Sequence, residues 1–134
     1  MEINGTFCLL SLLAVGLHEL AHAAMARNLG LKVKRVGICW KGAYIVRESG
    51  TPMVNGCVAL AGPLTNLALA IAFHRLWPGF AELNLVLGLF NLIPFKSSDG
   101  HRALQCWKET HAAKLARRTP PNRPLPTYRV VESE

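Results

Sequence analysis

Twenty consecutive residues, Val54 to Phe73, carry no charged side chain, and this stretch limits the possible folds more than any other feature of the chain. At 1.5 Å per residue, a helix of that length reaches about 30 Å, the thickness of a bilayer's hydrocarbon core. Two more stretches are nearly as bare. Gly5 to Ala26 holds only His18, Glu19 and His22 as ionisable groups, and Leu83 to Phe95 holds none. Charges crowd instead into 27–53 and 96–134. With 51% hydrophobic and only 17% charged residues, the chain is neither disordered, which needs a polar composition throughout, nor patterned like an ordinary soluble domain.

These segments predict an all-α membrane protein of one domain. A three-helix transmembrane core is expected at about 5–28, 54–77 and 79–95, within a unit covering 1–105. The third helix reaches span length only by starting at Gly79 and leaving Glu82 at the interface. The chain opens with Met1-Glu2, without a basic leader, so the first segment is expected to be a mature helix rather than a signal peptide. Gly62-Pro63 predicts either a kink or a fresh start within the second helix. The loop 30–53 carries Lys32, Lys34, Arg35, Lys41 and Arg47, and eight Lys/Arg against four acids follow Phe95. The short connection 74–82 has only Arg75 and Glu82. By the positive-inside rule the first loop and the tail are expected to be cytoplasmic and the N-terminus outside. The formal charge of +7 follows that predicted side, so the bilayer is the expected partner and nucleic acid is not.

Outside the spans, 31–47 reads as a small β-hairpin in the first cytoplasmic loop, with a turn at Lys41-Gly42 and a break in alternation near Lys34-Arg35. Leu104, Trp107, His111 and Leu115 recur at helical spacing among basic residues, which predicts an amphipathic helix over 106–118 lying on an anionic leaflet. Residues 119–134 hold four prolines and are expected to form a tail. Cys8, Cys39, Cys57 and Cys106 form no CxxC pair, so neither a disulfide framework nor a thiolate metal site is indicated.

The chemistry lies in the first span. His18-Glu19-Leu20-Ala21-His22 puts two imidazoles at i and i+4, on one face of a helix, where both can bind one Zn²⁺. Glu19 can then act as general base towards water. The motif is short and arises by chance, but three ionisable groups inside a membrane span are costly unless paired or metal-bound. A third ligand is required, and Glu48, His74, Glu82, Asp99, His101 and His111 are the candidates. His74 and Glu82 fall at the opposite membrane face. Asp99, past Pro94, can approach the metal, and His101 is the alternate; Asp99-Gly100 can equally be an Asx-turn or helix cap.

Taken together, the motifs resemble the site-2 protease family of intramembrane zinc metalloproteases. The resemblance rests on His18-Glu19-xx-His22 in the first segment and Ala61-Gly62-Pro63-Leu64-Thr65-Asn66 in the second. In the third it rests on Asn91-Leu92-Ile93-Pro94, followed after four residues by Asp99-Gly100. It covers about residues 5–105 and implies one zinc per chain held by His18, His22 and Asp99, with Glu19 activating water. It also implies Asn66 close to the catalytic centre, binding substrate or steadying the oxyanion, and Asn91 as a substrate contact. For Asn66 an interhelical hydrogen bond competes with that role. Phe95-Lys96-Ser97-Ser98 departs from the more apolar linker of the family, and no PDZ insert or further helix is seen in the sequence.

The resemblance implies hydrolysis of a peptide bond in or near a transmembrane segment of a membrane-tethered regulatory protein, with a regulatory membrane protein as a further expected partner. The alternative is a catalytically inactive zinc-binding membrane protein that grips membrane helices without cutting them. Retention of Glu19, which has no ligand role, speaks for the enzyme. A soluble zinc protease with a hydrophobic core is a weaker rival, given the uncharged 54–73.

Overall fold

The computed structural model describes residues 5–39 and 42–118. Four helices and one two-stranded sheet follow in the order α1 (Gly5–Asn28), β1 (Val33–Cys39), β2 (Gly42–Arg47), α2 (Pro52–Phe73), α3 (Pro78–Leu92) and α4 (Asp99–Arg118). The tail 119–134 and the Lys41 half of the expected turn lie outside the described residues.

Local chemistry sets the boundaries. α1 closes in a Schellman motif: Gly30 takes φ +78°, Leu31 N–H donates to Ala26 C=O at 2.9 Å and Gly30 N–H to Arg27 C=O at 3.0 Å. The chain then turns directly into β1. β1 and β2 pair antiparallel from Val33–Arg47 to Cys39–Gly42, with a register shift between Val33 and Arg35, where the alternation breaks in the sequence. Thr51 caps α2 and Pro52 occupies its first turn. Gly62-Pro63 does not divide α2, which runs through Pro63 as one helix.

Two expected helix ends move. Residues 74–77 leave the second helix and 93–95 leave the third. Trp77, before Pro78, sits at φ −148°, ψ 73°, and Ile93, before Pro94, at φ −65°, ψ 126°, both outside the helical region that a following proline disfavours. α3 is therefore 15 residues long, about 22 Å. α1 and α2 are the two described helices long and apolar enough to cross a membrane.

α2 is central, packing against α1, α3 and α4, while α1 also touches α3 and β2. The interior is made of small and polar side chains. Ala14, Ala23, Ala26, Ala59, Ala61, Ala70 and Ala81 are buried beside His18, His22, Asn66 and Asn84. Leu9, Leu12, Leu20, Leu64, Ile71, Val86 and Phe90 face outwards. This distribution inverts that of a water-soluble core and matches helices that approach closely through small residues and join through polar ones.

The fourth helix is longer than the expected 106–118. Ser98 sets its start, accepting from His101 N–H at 3.1 Å through Oγ and donating to Ile93 C=O at 2.7 Å. A Cβ on Gly100 would collide with the Leu92 carbonyl, so only glycine lets α4 begin against the end of α3. That contact carries Asp99 into the interior.

Candidate metal centre

His18 and His22 project from one face of α1 and meet Asp99 from the first turn of α4. His18 Nε2 lies 3.1 Å from Asp99 Oδ2, His22 Nε2 3.2 Å from the same oxygen, and the two Nε2 atoms are 3.1 Å apart. All three residues are buried. A tetrahedral ion with bonds of about 2.0–2.1 Å separates its ligand atoms by about 3.3 Å, so this triangle has the size of one face of a zinc tetrahedron.

The donor set also has the right protonation. His18 Nδ1 is 2.7 Å from Asn66 Oδ1 and His22 Nδ1 is 2.7 Å from the Val58 carbonyl oxygen. Both partners accept, so each Nδ1 carries the proton and each Nε2 turns a lone pair towards the other and towards the carboxylate. Three acceptors converging within van der Waals distance need a cation between them. Without a metal, only a proton on an imidazole can serve.

Gly62 closes the site from α2. A Cβ there would fall 2.7 Å from His18 Nε2 and closer still to His22 Nε2, so the glycine leaves the space that the ligand atoms and an ion require. On the other side opens a cavity of about 750 Å³, lined by the triad, Glu19, Asn91, Val46 and Arg47 of β2, and Arg102 of α4 among others. Glu19 makes no hydrogen bond or ion pair among the described residues and is free to face a bound molecule. Arg102 lies 3.9 Å from Asp99 Oδ1. Arg47 Nη1 donates to Asn55 Oδ1 at 2.8 Å. Burial pushes the Cys106 thiol up, with Glu109 adding to it.

The residues singled out in the sequence fall into three groups. His18, His22 and Asp99 converge, and Glu19 and Asn91 line the cavity they open into, Asn91 with its Nδ2 donating to Leu87 C=O at 2.9 Å. Asn66 is fully buried behind His18 and is not among the cavity-lining residues. Glu48, His74, Glu82, His101 and His111 do not join this candidate ligand group among the described residues; His74 instead bonds the Ile71 carbonyl and the His111 ring lies tilted against Trp107. Sequence reasoning missed Asn84, which is wholly buried and bonded to Asn66. An amide in an otherwise apolar run was the available signal.

The fold is helical, and its donor set joins an HExxH pair to a carboxylate from a distant helix in a group that could hold a metal ion. No family model matches the chain. It is 37% identical over 119 residues to Rip3 of Mycobacterium tuberculosis, provisionally named a zinc metalloprotease, in an alignment covering 74% of this chain and 29% of that protein. It is 35% identical over 133 residues to MJ0611 of Methanocaldococcus jannaschii, also provisionally named a zinc metalloprotease, covering 72% of this chain and 70% of that protein. A second protein of that organism, the zinc metalloprotease MJ0392, is 28% identical over 110 residues, with 72% and 32% covered. The chain belongs to the site-2 protease family of zinc metalloproteases. It spans about three-tenths of the length of Rip3 and most of MJ0611.

Proposed function

We propose that the chain is a zinc-dependent intramembrane endopeptidase that cuts a peptide bond in or near a transmembrane segment of a membrane-tethered regulatory protein. The observation that carries this reading is the zinc-sized triangle of His18, His22 and Asp99 opening into a cavity that also holds Glu19. Membership of a zinc metalloprotease family supports the same chemistry.

In this reading His18, His22 and Asp99 hold one zinc per chain. Zinc, when bound, supplies a Lewis acid and makes water nucleophilic near neutral pH. Glu19 accepts the proton of the attacking water as the oxygen bonds to the scissile carbonyl carbon, and returns a proton to the amine nitrogen as the C–N bond breaks. Asn91, on the cavity wall, contacts substrate, and Asn66 acts through His18. A helical substrate must unwind to expose its carbonyl. β2, whose Ile45, Val46 and Arg47 line the cavity, offers a strand with which the extended segment can pair.

The outward leucines and phenylalanines support a setting in lipid, with α1 and α2 spanning and the shorter α3 completing a three-helix core. The N-terminus is then outside, with the first loop and α4 on the cytoplasmic side. The test is zinc content and cleavage of a transmembrane reporter by detergent-purified wild type and Glu19→Gln. About one zinc in both proteins, with cleavage confined to wild type, is the expected result. No zinc in folded wild type overturns the reading; zinc without cleavage in either protein leaves an inactive zinc-binding protein.

A further inference from the structure

His18 is held by more than its immediate neighbour. Asn66 Oδ1 faces His18 Nδ1 at 2.7 Å, Asn66 Nδ2 donates to Asn84 Oδ1 at 2.9 Å, and Asn84 Nδ2 donates to the Phe80 carbonyl at 2.8 Å. Both asparagines have no exposed surface. We infer that Asn84, on α3, is a positioning residue of the metal centre: it fixes the orientation of the Asn66 amide and, through it, the tautomer that leaves His18 Nε2 free for a metal. The inference rests on the zinc reading above and deepens it.

The reasoning follows from the direction of each bond. An asparagine amide has a donating and an accepting end, and either could in principle face a given neighbour. A main-chain carbonyl has no such choice; it only accepts. The Phe80 carbonyl therefore forces Asn84 to turn Nδ2 towards it and Oδ1 towards Asn66. That oxygen forces Asn66 to present Nδ2 to α3 and Oδ1 to α1. Asn66 Oδ1 in turn requires a proton on His18 Nδ1. His22 reaches the same state in one step, bonding the Val58 carbonyl directly. Both ligand tautomers are thus anchored on main-chain carbonyls, one on α2 and one on α3, although α3 contributes no ligand.

Among the described residues no other side chain fixes the direction of the Asn66 amide once Asn84 is gone. That amide can turn over and donate Nδ2–H to His18 Nδ1, which moves the imidazole proton to Nε2, into the position the metal needs. Leucine at 84 removes the acceptor at similar volume. Aspartate keeps an oxygen towards Asn66 whether ionised or protonated, and so preserves the direction of the chain.

The experiment uses the full chain in detergent micelles and two readouts. The first is zinc affinity by competition with a chromophoric chelator. The second is the ¹⁵N signature of His18 Nδ1 in metal-free protein, which shows whether that nitrogen carries a proton, as the Asn66 oxygen requires, or accepts one from a flipped Asn66 amide. Asn84→Leu is expected to weaken zinc binding by about tenfold to a hundredfold, the usual effect of losing a residue that orients a ligand, and to shift His18 towards Nε2–H. Asn84→Asp is expected to keep wild-type affinity within about threefold and the wild-type His18 signature. Unchanged affinity and tautomer in Asn84→Leu overturn the inference. So does equal loss in Asn84→Leu and Asn84→Asp, which would mark Asn84 as packing alone. If Asn84→Leu does not purify folded, Asn84→Ala removes the same acceptor without adding volume and is judged by the same outcomes. Failure of wild type to bind zinc would overturn the protease reading, while the metal-free tautomer would still decide the role of Asn84.

Discussion

Gly62→Ala adds one methyl group, and the structure predicts that it costs the metal centre far more than it costs the fold. The new Cβ would lie 2.7 Å from His18 Nε2 and Cε1, against an ordinary contact of at least 3.4 Å. The His18 ring must then retreat by about 0.7 Å, whereas metal–ligand bonds tolerate only about 0.2 Å. The rings have little freedom to retreat, because Asn66 and the Val58 carbonyl hold their far sides at 2.7 Å. For the fold, overpacking costs roughly 1–3 kcal/mol, and exchanging glycine for alanine inside a helix returns about 1 kcal/mol. Net destabilisation is thus about 0–2 kcal/mol, while zinc affinity falls by at least a hundredfold, more than the loss of an orienting residue produces. The assay is zinc per chain after dialysis against a chelator, with helix content and thermal unfolding followed by circular dichroism. Gly16→Ala, which adds a methyl with nothing within 4 Å, is the matched control and should leave zinc unchanged. Gly62→Ala that retains about one zinc with wild-type affinity would refute the geometry from which the site is argued.

Other outcomes follow from the same contacts. Asp99→Ala should lose zinc on dialysis while His101→Ala keeps it, since only the aspartate lies with the two imidazoles; metal analysis of the pair decides. Ser98→Ala removes the α4 cap and should lower stability by about 1 kcal/mol, seen as a lower unfolding midpoint. It should weaken zinc binding less than Asp99→Ala does. Zinc at a hundred times its dissociation constant should stabilise the folded chain by about 2.7 kcal/mol, so chelation should lower the unfolding temperature in wild type and have no effect in Asp99→Ala.

The parts legible in the sequence were those governed by short-range rules. His18 and His22 lie four apart, and helical periodicity alone sets them on one face of α1. The break in alternation near Lys34-Arg35 reappears as the register shift in the hairpin. Helix lengths were less legible, because counting apolar residues ran past prolines whose effect on the preceding residue is stronger than hydropathy. That is why α3 stops at Leu92, before Ile93-Pro94.

The supports of the site depend on long-range contact and left little local trace. Gly62 and Gly100 look like any small residues until the neighbouring helix is in place; then one faces two imidazoles and the other a carbonyl. Asn66 stood out because its motif did; the family resemblance implied a contact with substrate or oxyanion, and an interhelical hydrogen bond was the competing expectation. Its burial against His18 puts it on the ligand side of the metal centre instead of on the cavity wall. Asn84 had no motif at all. In a segment where every neighbour is apolar, a fully buried amide is expensive unless both its ends are satisfied, and here they are satisfied by the Asn66 amide, itself bonded to His18, and by a carbonyl of its own helix. Because an apolar residue would fill the same volume without a partner, the direction of the Asn84 amide is the feature that the site would lose.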